Sequence, residues 1–283
     1  MQGGGRSDWY SEIPYVWLRV SCYLALEFAV ATPIILLLRP SSDARQWVAR
    51  DRYAVWPALP MEEYIDMYGN RCQRMLAPAG AFEVKVCADV KVPIGVKQQP
   101  GAPFVQIQDL PVETLMYLAP SRYCESDQLT QLAYEITANC QPGYDQVRAI
   151  SDWIHRSLSY RSDSDPAPVS AAEAVQRGNG VCRDFAHIGI ALCRSLSIPA
   201  RMMVGYLHCL EPMDLHAWFE AFVGDQWYVF DPTRATLNGA RVCLGHGRDA
   251  ADVPVFTQFG PSLIPSRMDV AVEEIVSPAP MGS

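Results

Sequence analysis

Residues 178–186 read Gly-Asn-Gly-Val-Cys-Arg-Asp-Phe-Ala and lead directly into a helical pattern. Apolar residues and a glycine then recur at spacings of four, three and four, at Phe185, Gly189, Leu192 and Leu196. The spacing predicts a helix that begins near Cys182 and ends before Pro199. A helix N-terminus carries unpaired N–H groups and a partial positive charge, which favour a thiolate. Cys182 is thus a candidate nucleophile, although without a nearby base a buried, inert cysteine is the commoner case.

Residues 216–231 supply a base and a carboxylate. They read His-Ala-Trp-Phe-Glu-Ala-Phe-Val-Gly-Asp-Gln-Trp-Tyr-Val-Phe-Asp, which predicts a hairpin turning at Gly224-Asp225. A loop of two or of four residues gives the same register, with Asp231 diagonal to His216 on one face, roughly 7–8 Å away by backbone. An odd-length loop would move Asp231 to the other face. The hairpin therefore predicts a His216–Asp231 pair, conditional on the loop length.

These three side chains have the chemistry of thiol catalysis. A Cys182 thiolate attacks a carbonyl, and the His216 imidazole holds it as an ion pair and later protonates the leaving amine. The Asp231 carboxylate orients the ring, and the backbone N–H of Cys182 can face the developing oxyanion. The sequence predicts a catalytic site formed by Cys182, His216 and Asp231.

The other candidate side chains are weaker. His187 lies about 140° around the helix from Cys182, so we expect it in the core or at the surface. Tyr160 follows the second helix and is a candidate for contact with the site, although packing is the expected role. Asp184 is expected to cap or pair locally. The histidines at 155, 208 and 246 are expected in solvent or in loops. His208-Cys209 lacks a second spaced pair of ligands, so we expect no metal and no other cofactor.

The rest of the chain divides into a strand-rich and a helix-rich part. Apolar residues alternate at Leu24, Leu26, Phe28 and Val30, and again at Phe82, Val84, Val86, Ala88, Val90 and Val92, with a turn at Tyr68-Gly69-Asn70 between them. Prolines and glycines between 93 and 111 indicate a boundary. Helical stripes follow at 129–136 and 147–158, and Ser170 with Glu173 forms a capping box before Gly178. We predict a β-rich domain over residues 1–110 and a catalytic domain over 111–283.

Composition excludes several classes of protein. The 283 residues are 49% hydrophobic, which is enough for a packed core, and the net charge is −8 without a basic run, which argues against nucleic acid. Nine cysteines without a CxxC pair favour a reducing compartment over a disulfide scaffold or a zinc site. The apolar stretch 22–38 has 17 residues, interrupted by Glu27 and Pro33, and is a poor membrane span. With no signal-peptide pattern, we expect a cytoplasmic protein without a membrane partner.

The motifs resemble the bacterial transglutaminase-like (cysteine protease) family. The match covers residues 178–186, 198–201, 205–206, 216–220, 227–228 and 231–233, in that order. Cys182 precedes His216 by 34 residues, and His216 precedes Asp231 by 15. Residues 247–254 look like the family's C-terminal segment, and the β-rich part with residues 66–70 looks like its N-terminal domain.

The resemblance implies an α+β fold: an N-terminal antiparallel β domain followed by a papain-like, transglutaminase-like core of helices packed on an antiparallel sheet. It also implies that Cys182 is the nucleophile, His216 the base and Asp231 the orienting acid. Trp218 matches an aromatic residue of the histidine motif, with a packing role. Some members of the wider superfamily bind calcium, but this chain shows no dense acidic loop.

The expected function is cleavage of amide bonds through an acyl-cysteine intermediate. The substrate would be a protein, a peptide or a small amide. Hydrolysis is favoured over transfer to a primary amine, because water is always present and no acidic patch is evident that would hold a lysine donor. A non-catalytic interaction module is the rival from another class, and an acyltransferase using a carrier-bound thioester is a further alternative. Oligomeric state stays open.

Overall fold

The computed structural model describes residues 13–161 and 167–278, and the fold is α+β as expected. The strands are β1 Tyr15–Phe28, β2 Thr32–Leu36, β3 Trp47–Trp56, β4 Met61–Ile65, β5 Arg71–Ala77, β6 Gly80–Pro93, β7 Ser159–Tyr160, β8 Asn179–Gly180, β9 Ala200–Leu207, β10 Leu215–Val223, β11 Gln226–Phe230, β12 Arg241–Gly247, β13 Phe256–Gln258 and β14 Arg267–Ile275. The α-helices are α1 Thr130–Thr137, α2 Tyr144–Ser157, α3 Ala171–Arg177 and α4 Cys182–Ser195.

The first part of the chain supplies three strands to each of two antiparallel four-stranded sheets, ordered β14-β1-β6-β3 and β13-β2-β5-β4. β1 and β6 pair along their whole length, from Tyr15 opposite Pro93 to Phe28 opposite Gly80. The predicted alternation over 82–92 is confirmed, since its six apolar residues are all buried. Val30 is half exposed beyond the end of β1, so its predicted place on the buried face is wrong.

The end of the chain returns to these sheets. β13 pairs with β2, and β14 pairs with β1 from Trp17 opposite Ile275 to Ala25 opposite Arg267. Both sheets are therefore completed by residues that follow the rest of the fold in sequence. The predicted division at residue 110 stays a prediction.

The second part packs helices on a third antiparallel sheet, ordered β11-β10-β9-β12, which we call the core sheet. α4 is buried over residues 184–194 and lies against β9 and β10. The contact is close at Gly189, where an added Cβ would lie 2.4 Å from the Phe219 ring. A larger residue at this position would force the helix away from the sheet.

The predicted helices and their ends are confirmed. Ser170 caps α3 by accepting a hydrogen bond from the Glu173 N–H, and Gly178 ends that helix with a left-handed φ of 69°. α4 begins at Cys182, as its apolar spacing predicts. None of the helices in the described parts of the chain has both the length and the apolar character needed to cross a bilayer.

Candidate active site

Cys182 is the first residue of α4, and the preceding turn is held tightly. The Val181 N–H donates to Asp184 Oδ2 at 3.1 Å, so Asp184 caps the helix, as expected. An added Cβ at Gly180 would lie 2.9 Å from the Cβ of Asp184, so the turn has no room for a side chain. The cysteine itself stays half-buried rather than enclosed.

The hairpin that carries the base has the predicted register. Gly224 and Asp225 form its two-residue turn, both with positive φ, and Phe222 lies opposite Trp227. His216 Nε2 and Asp231 Oδ2 are 2.8 Å apart, and both side chains are buried. The loop has an even number of residues, which meets the condition of the prediction, so His216 and Asp231 lie on the same face of the hairpin.

Asp231 is fully satisfied by three neighbouring side chains. Besides His216, Arg241 Nη2 donates to its Oδ2 at 2.9 Å, and the Thr233 hydroxyl donates to its Oδ1 at 2.6 Å. Burial alone would raise the pKa of Asp231, but these hydrogen bonds and the two positive charges hold it well below its usual range. The carboxylate stays ionised at any pH at which the protein would work.

The neighbours of His216 outweigh the effect of burial on its pKa. Burial by itself lowers the pKa of a histidine, but hydrogen bonds to Asp231 and Cys182 and their charges raise the pKa of His216 to about 9. Because Nε2 faces Asp231, Nδ1 is the ring nitrogen left for the thiol. Cys182 and Asp231 thus both favour the charged form of the His216 ring.

Tyr160 and Arg241 complete the surroundings of this site, and the sequence points to the first but not to the second. Tyr160 packs edge to face on Phe185 with ring centres 6.0 Å apart, and it also lies beside Cys182. Its side chain is half exposed, and burial together with the charge and hydrogen bonds of Cys182 raises its pKa to about 12. β7 pairs in parallel with β8, directly before Cys182, and this pairing places Tyr160 beside the thiol. Arg241 follows a separate loop, so no local pattern links it to Asp231.

The other histidines lie outside this arrangement. His187 is fully buried in α4, which confirms the expectation that it does not face Cys182, and burial lowers its pKa to about 4. His155 is exposed, as expected, with Nδ1 3.0 Å from the Pro232 carbonyl oxygen. His246 lies in β12 and not in a loop, so that expectation is wrong. Across residues 13–161 and 167–278, no three His, Cys, Asp or Glu side chains are grouped as metal ligands.

Comparison with known proteins places this fold and site in a family. Residues 130–232 match the profile of the Transglutaminase-like superfamily. The structure also matches that of a protein from Cytophaga hutchinsonii described as a "putative cysteine protease", with a TM-score of 0.86 and 34% identity, over 94% of this chain and 92% of that chain. The chain therefore belongs to the transglutaminase-like superfamily.

Mycobacterial relatives match to different extents. An uncharacterized protein of Mycobacterium leprae is 27% identical over 250 residues, which are 83% of this chain and 89% of that protein. A protein of Mycobacterium tuberculosis is 30% identical over 150 residues, which are 46% of this chain and 48% of its own length. The first match thus extends over both the sheets of the first part and the core sheet.

Proposed function

We propose that this protein is a thiol-dependent enzyme that cleaves amide bonds of proteins or peptides through an acyl-cysteine intermediate. The observation that carries the proposal is the buried imidazole of His216, held between the Asp231 carboxylate and the Cys182 thiol with its pKa raised to about 9. A histidine with that pKa is protonated near neutral pH, so it can stabilise a thiolate beside it.

Each residue then has one task in the reaction. The Cys182 sulfur forms a bond with the substrate carbonyl carbon, and His216 gives its proton to the amine as the C–N bond breaks. Asp231 keeps the ring oriented and favours its protonated form. Water, which gives a proton to the now neutral His216, then attacks the thioester. The C–S bond breaks, the acid is released, and the Cys182 thiolate and the His216 imidazolium are restored.

The site's surroundings support this assignment. The Cys182 N–H lies in the first turn of α4, where the partial positive charge of the helix would stabilise a developing oxyanion. The Tyr160 hydroxyl lies beside both the thiol and that N–H. None of the nine cysteines is in a disulfide, and we propose that the protein works in a reducing compartment such as the cytoplasm.

The pH dependence of cysteine alkylation tests the proposal without a substrate. We expect iodoacetamide to label Cys182 rapidly at pH 6.5, whereas a thiol with an ordinary pKa near 8.5 would be about 1% ionised there. His216→Asn should slow this labelling about 100-fold, because the thiolate loses its ion-pair partner. Peptide mass spectrometry follows each cysteine separately.

The chain contains its own controls for that experiment. The exposed Cys209 should label slowly at pH 6.5 in every variant. His155→Asn should leave the labelling of Cys182 unchanged, since His155 is exposed and its hydrogen bond is to the Pro232 carbonyl. Equal rates at Cys182 and Cys209, or a His216→Asn variant that labels as fast as the parent, would contradict the proposal.

The acceptor of the acyl group needs a second measurement. A reactive amide substrate is offered together with a labelled primary amine, and the products are separated by mass. We expect the free acid to dominate. Quantitative incorporation of the amine without free acid would overturn hydrolysis in favour of transamidation.

A Cys182→Ala variant separates the enzyme from a non-catalytic module. Unchanged partner binding and no lost activity in this variant would favour the module.

A further inference from the structure

Arg241 is a buried cation that reaches the candidate site from the edge of the core sheet. β12 pairs with β9, which in turn pairs with β10, so Arg241 lies two strands away from His216. Its side chain is 5% exposed. Nη1 donates to the Gly239 carbonyl oxygen at 3.0 Å, and Nη2 donates to Asp231 Oδ2 at 2.9 Å. Within residues 13–161 and 167–278, Asp231 is thus the carboxylate to which this guanidinium is bonded.

The two oxygens of Asp231 have different partners. Oδ1 accepts the Thr233 hydroxyl at 2.6 Å and the Thr233 N–H at 3.3 Å, which fixes the orientation of the carboxylate. Oδ2 accepts both His216 Nε2–H at 2.8 Å and Arg241 Nη2–H at 2.9 Å. The two donors therefore share one oxygen. Because each is attracted by the same negative charge, a contact with one reduces the attraction that is left for the other.

Water screens the charges of these side chains only weakly. Asp231, His216 and Arg241 are 0%, 3% and 5% exposed. With a protonated His216 they comprise two cations and one carboxylate. Two like charges that bond to the same oxygen repel each other strongly where the surroundings are buried. Arg241 therefore opposes the protonation of His216 that Asp231 favours.

The other titratable and charged groups around this cluster do not take the place of Arg241. They are the side chains of Cys182, Tyr160, Asp214 and Arg234. Cys182 and Asp214 attract the charge of His216, and Tyr160 bonds to Cys182. Arg234 repels Arg241 and so disfavours its charged form. In the described parts of the chain, Arg241 is thus the one cation besides His216 that bonds to Asp231.

We propose that Arg241 is a positioning residue of the proposed catalytic centre: it fixes the Asp231 carboxylate and, by sharing Oδ2, makes the His216 ring release its proton more readily. In the proposed function, on which this role rests, the proton on His216 Nδ1 passes to the amine nitrogen as the C–N bond breaks. The negative charge of Cys182 moves away from the ring once the sulfur bonds to the carbonyl carbon. The repulsion between His216 and Arg241 is then no longer offset by the thiolate, which favours the transfer.

The titration of the His216 ring tests this role in a background without the thiol. In Cys182→Ala, the ¹³Cε1–H signal of His216 reports the protonation of the ring by NMR. We expect the titration midpoint in Cys182→Ala/Arg241→Met to lie about one pH unit above that of Cys182→Ala, because the ring keeps its carboxylate and loses the repelling charge. Arg241→Lys in the same background keeps the charge, so it should raise the midpoint by less than half as much.

Arg201→Met is the matched control, since it also removes a cation from a buried ion pair of the core sheet. Arg201 bonds to Glu220 at 2.6 Å and lies four residues along β9 from Gly205, which pairs with His216. In the Cys182→Ala background, Arg201→Met should move the His216 midpoint by less than about 0.3 pH units, because a charge interaction weakens with distance. A midpoint that is unchanged or lower in Arg241→Met, or an equal shift in Arg201→Met, would overturn the proposal.

A second signal decides the matter if Arg241→Met does not fold. The Arg241 Nε–H is buried, so its ¹H–¹⁵N signal in Cys182→Ala should persist at high pH. We expect this signal to shift with the same midpoint as the His216 ring, since both side chains bond to Asp231 Oδ2. A signal that stays constant would contradict the shared contact. Slow labelling of Cys182 in the wild-type chain would instead contradict the proposed function and leave these titrations unchanged.

Discussion

His216 and His187 are both buried histidines, but His216 is protonated at neutral pH and His187 is neutral. Both side chains are buried, at 3% and 0% exposure. His216 faces the Asp231 carboxylate, and its pKa is raised to about 9. His187 has Nδ1 3.1 Å from the Val169 carbonyl oxygen and accepts the Ala250 N–H at Nε2, and burial lowers its pKa to about 4.

Burial alone therefore does not decide the charge of a histidine in this protein. His187 stacks on Tyr123 with ring centres 5.2 Å apart, and its two hydrogen bonds to backbone groups fit the neutral ring, with Nδ1–H as donor. The charge of Asp249 favours its protonation but is outweighed by burial. His216 bonds directly to a carboxylate, and this contact makes the imidazolium the stable form.

Removing the Asp231 carboxylate should have the largest effect on the stability of the buried charges around His216. Asp231→Asn leaves the Arg241 guanidinium buried without its counter-charge, so we expect the free energy of unfolding to fall by about 3–5 kcal/mol. Urea unfolding at pH 7 measures the loss. Asp152→Asn removes the partner of Arg148 in a pair that is 40–45% exposed, and should cost less than about 1 kcal/mol. A similar loss in both variants would show that the buried charge is not balanced as described.

The raised pKa of His216 predicts a stability that declines with pH. The folded state holds a proton up to about pH 9, whereas the unfolded histidine releases it near 6.5. Its contribution is therefore complete below pH 6.5 and is lost as the pH rises through 9, by about 2–3 kcal/mol. The difference in unfolding free energy between wild type and His216→Asn should shrink over this range. A difference that stays constant would exclude the raised pKa.

His187 predicts the opposite slope over a lower range. Its folded pKa is lowered to about 4, so between pH 6.5 and 4 the unfolded chain binds more protons than the folded one. Its stabilising contribution is complete above pH 6.5 and decreases as the pH falls, by about 1–2 kcal/mol at pH 5. The advantage of wild type over His187→Gln should therefore shrink on acidification. An advantage that grows instead would mean that His187 is charged in the fold, like His216.

Local patterns predicted the elements on which the candidate site stands. The spacing of apolar residues after Cys182 predicted where α4 begins, and the even loop at Gly224-Asp225 predicted that Asp231 and His216 share a face. Both depend on periods of a few residues, set by the geometry of helix and strand. The catalytic roles assigned to these residues stay proposals.

The other parts of the site and of the fold depend on contacts between residues that are far apart in sequence. Tyr160 reaches the thiol through a strand pair of only two residues, and Arg241 reaches Asp231 from the edge strand β12. A cavity lies between the core sheet and segments 43–46, 93–97 and 111–114, which all precede that sheet in sequence, and β14 returns to pair with β1.

The fold class, the start of the helix that carries Cys182 and, for an even loop, the register that joins His216 to Asp231 could therefore be predicted from the amino-acid order. The side chains that surround these residues, and with them the charge of His216 and the neutrality of His187, depend on the folded arrangement. Backbone periodicity acts over a few neighbouring residues, whereas burial and electrostatic contacts depend on groups brought together from distant parts of the chain.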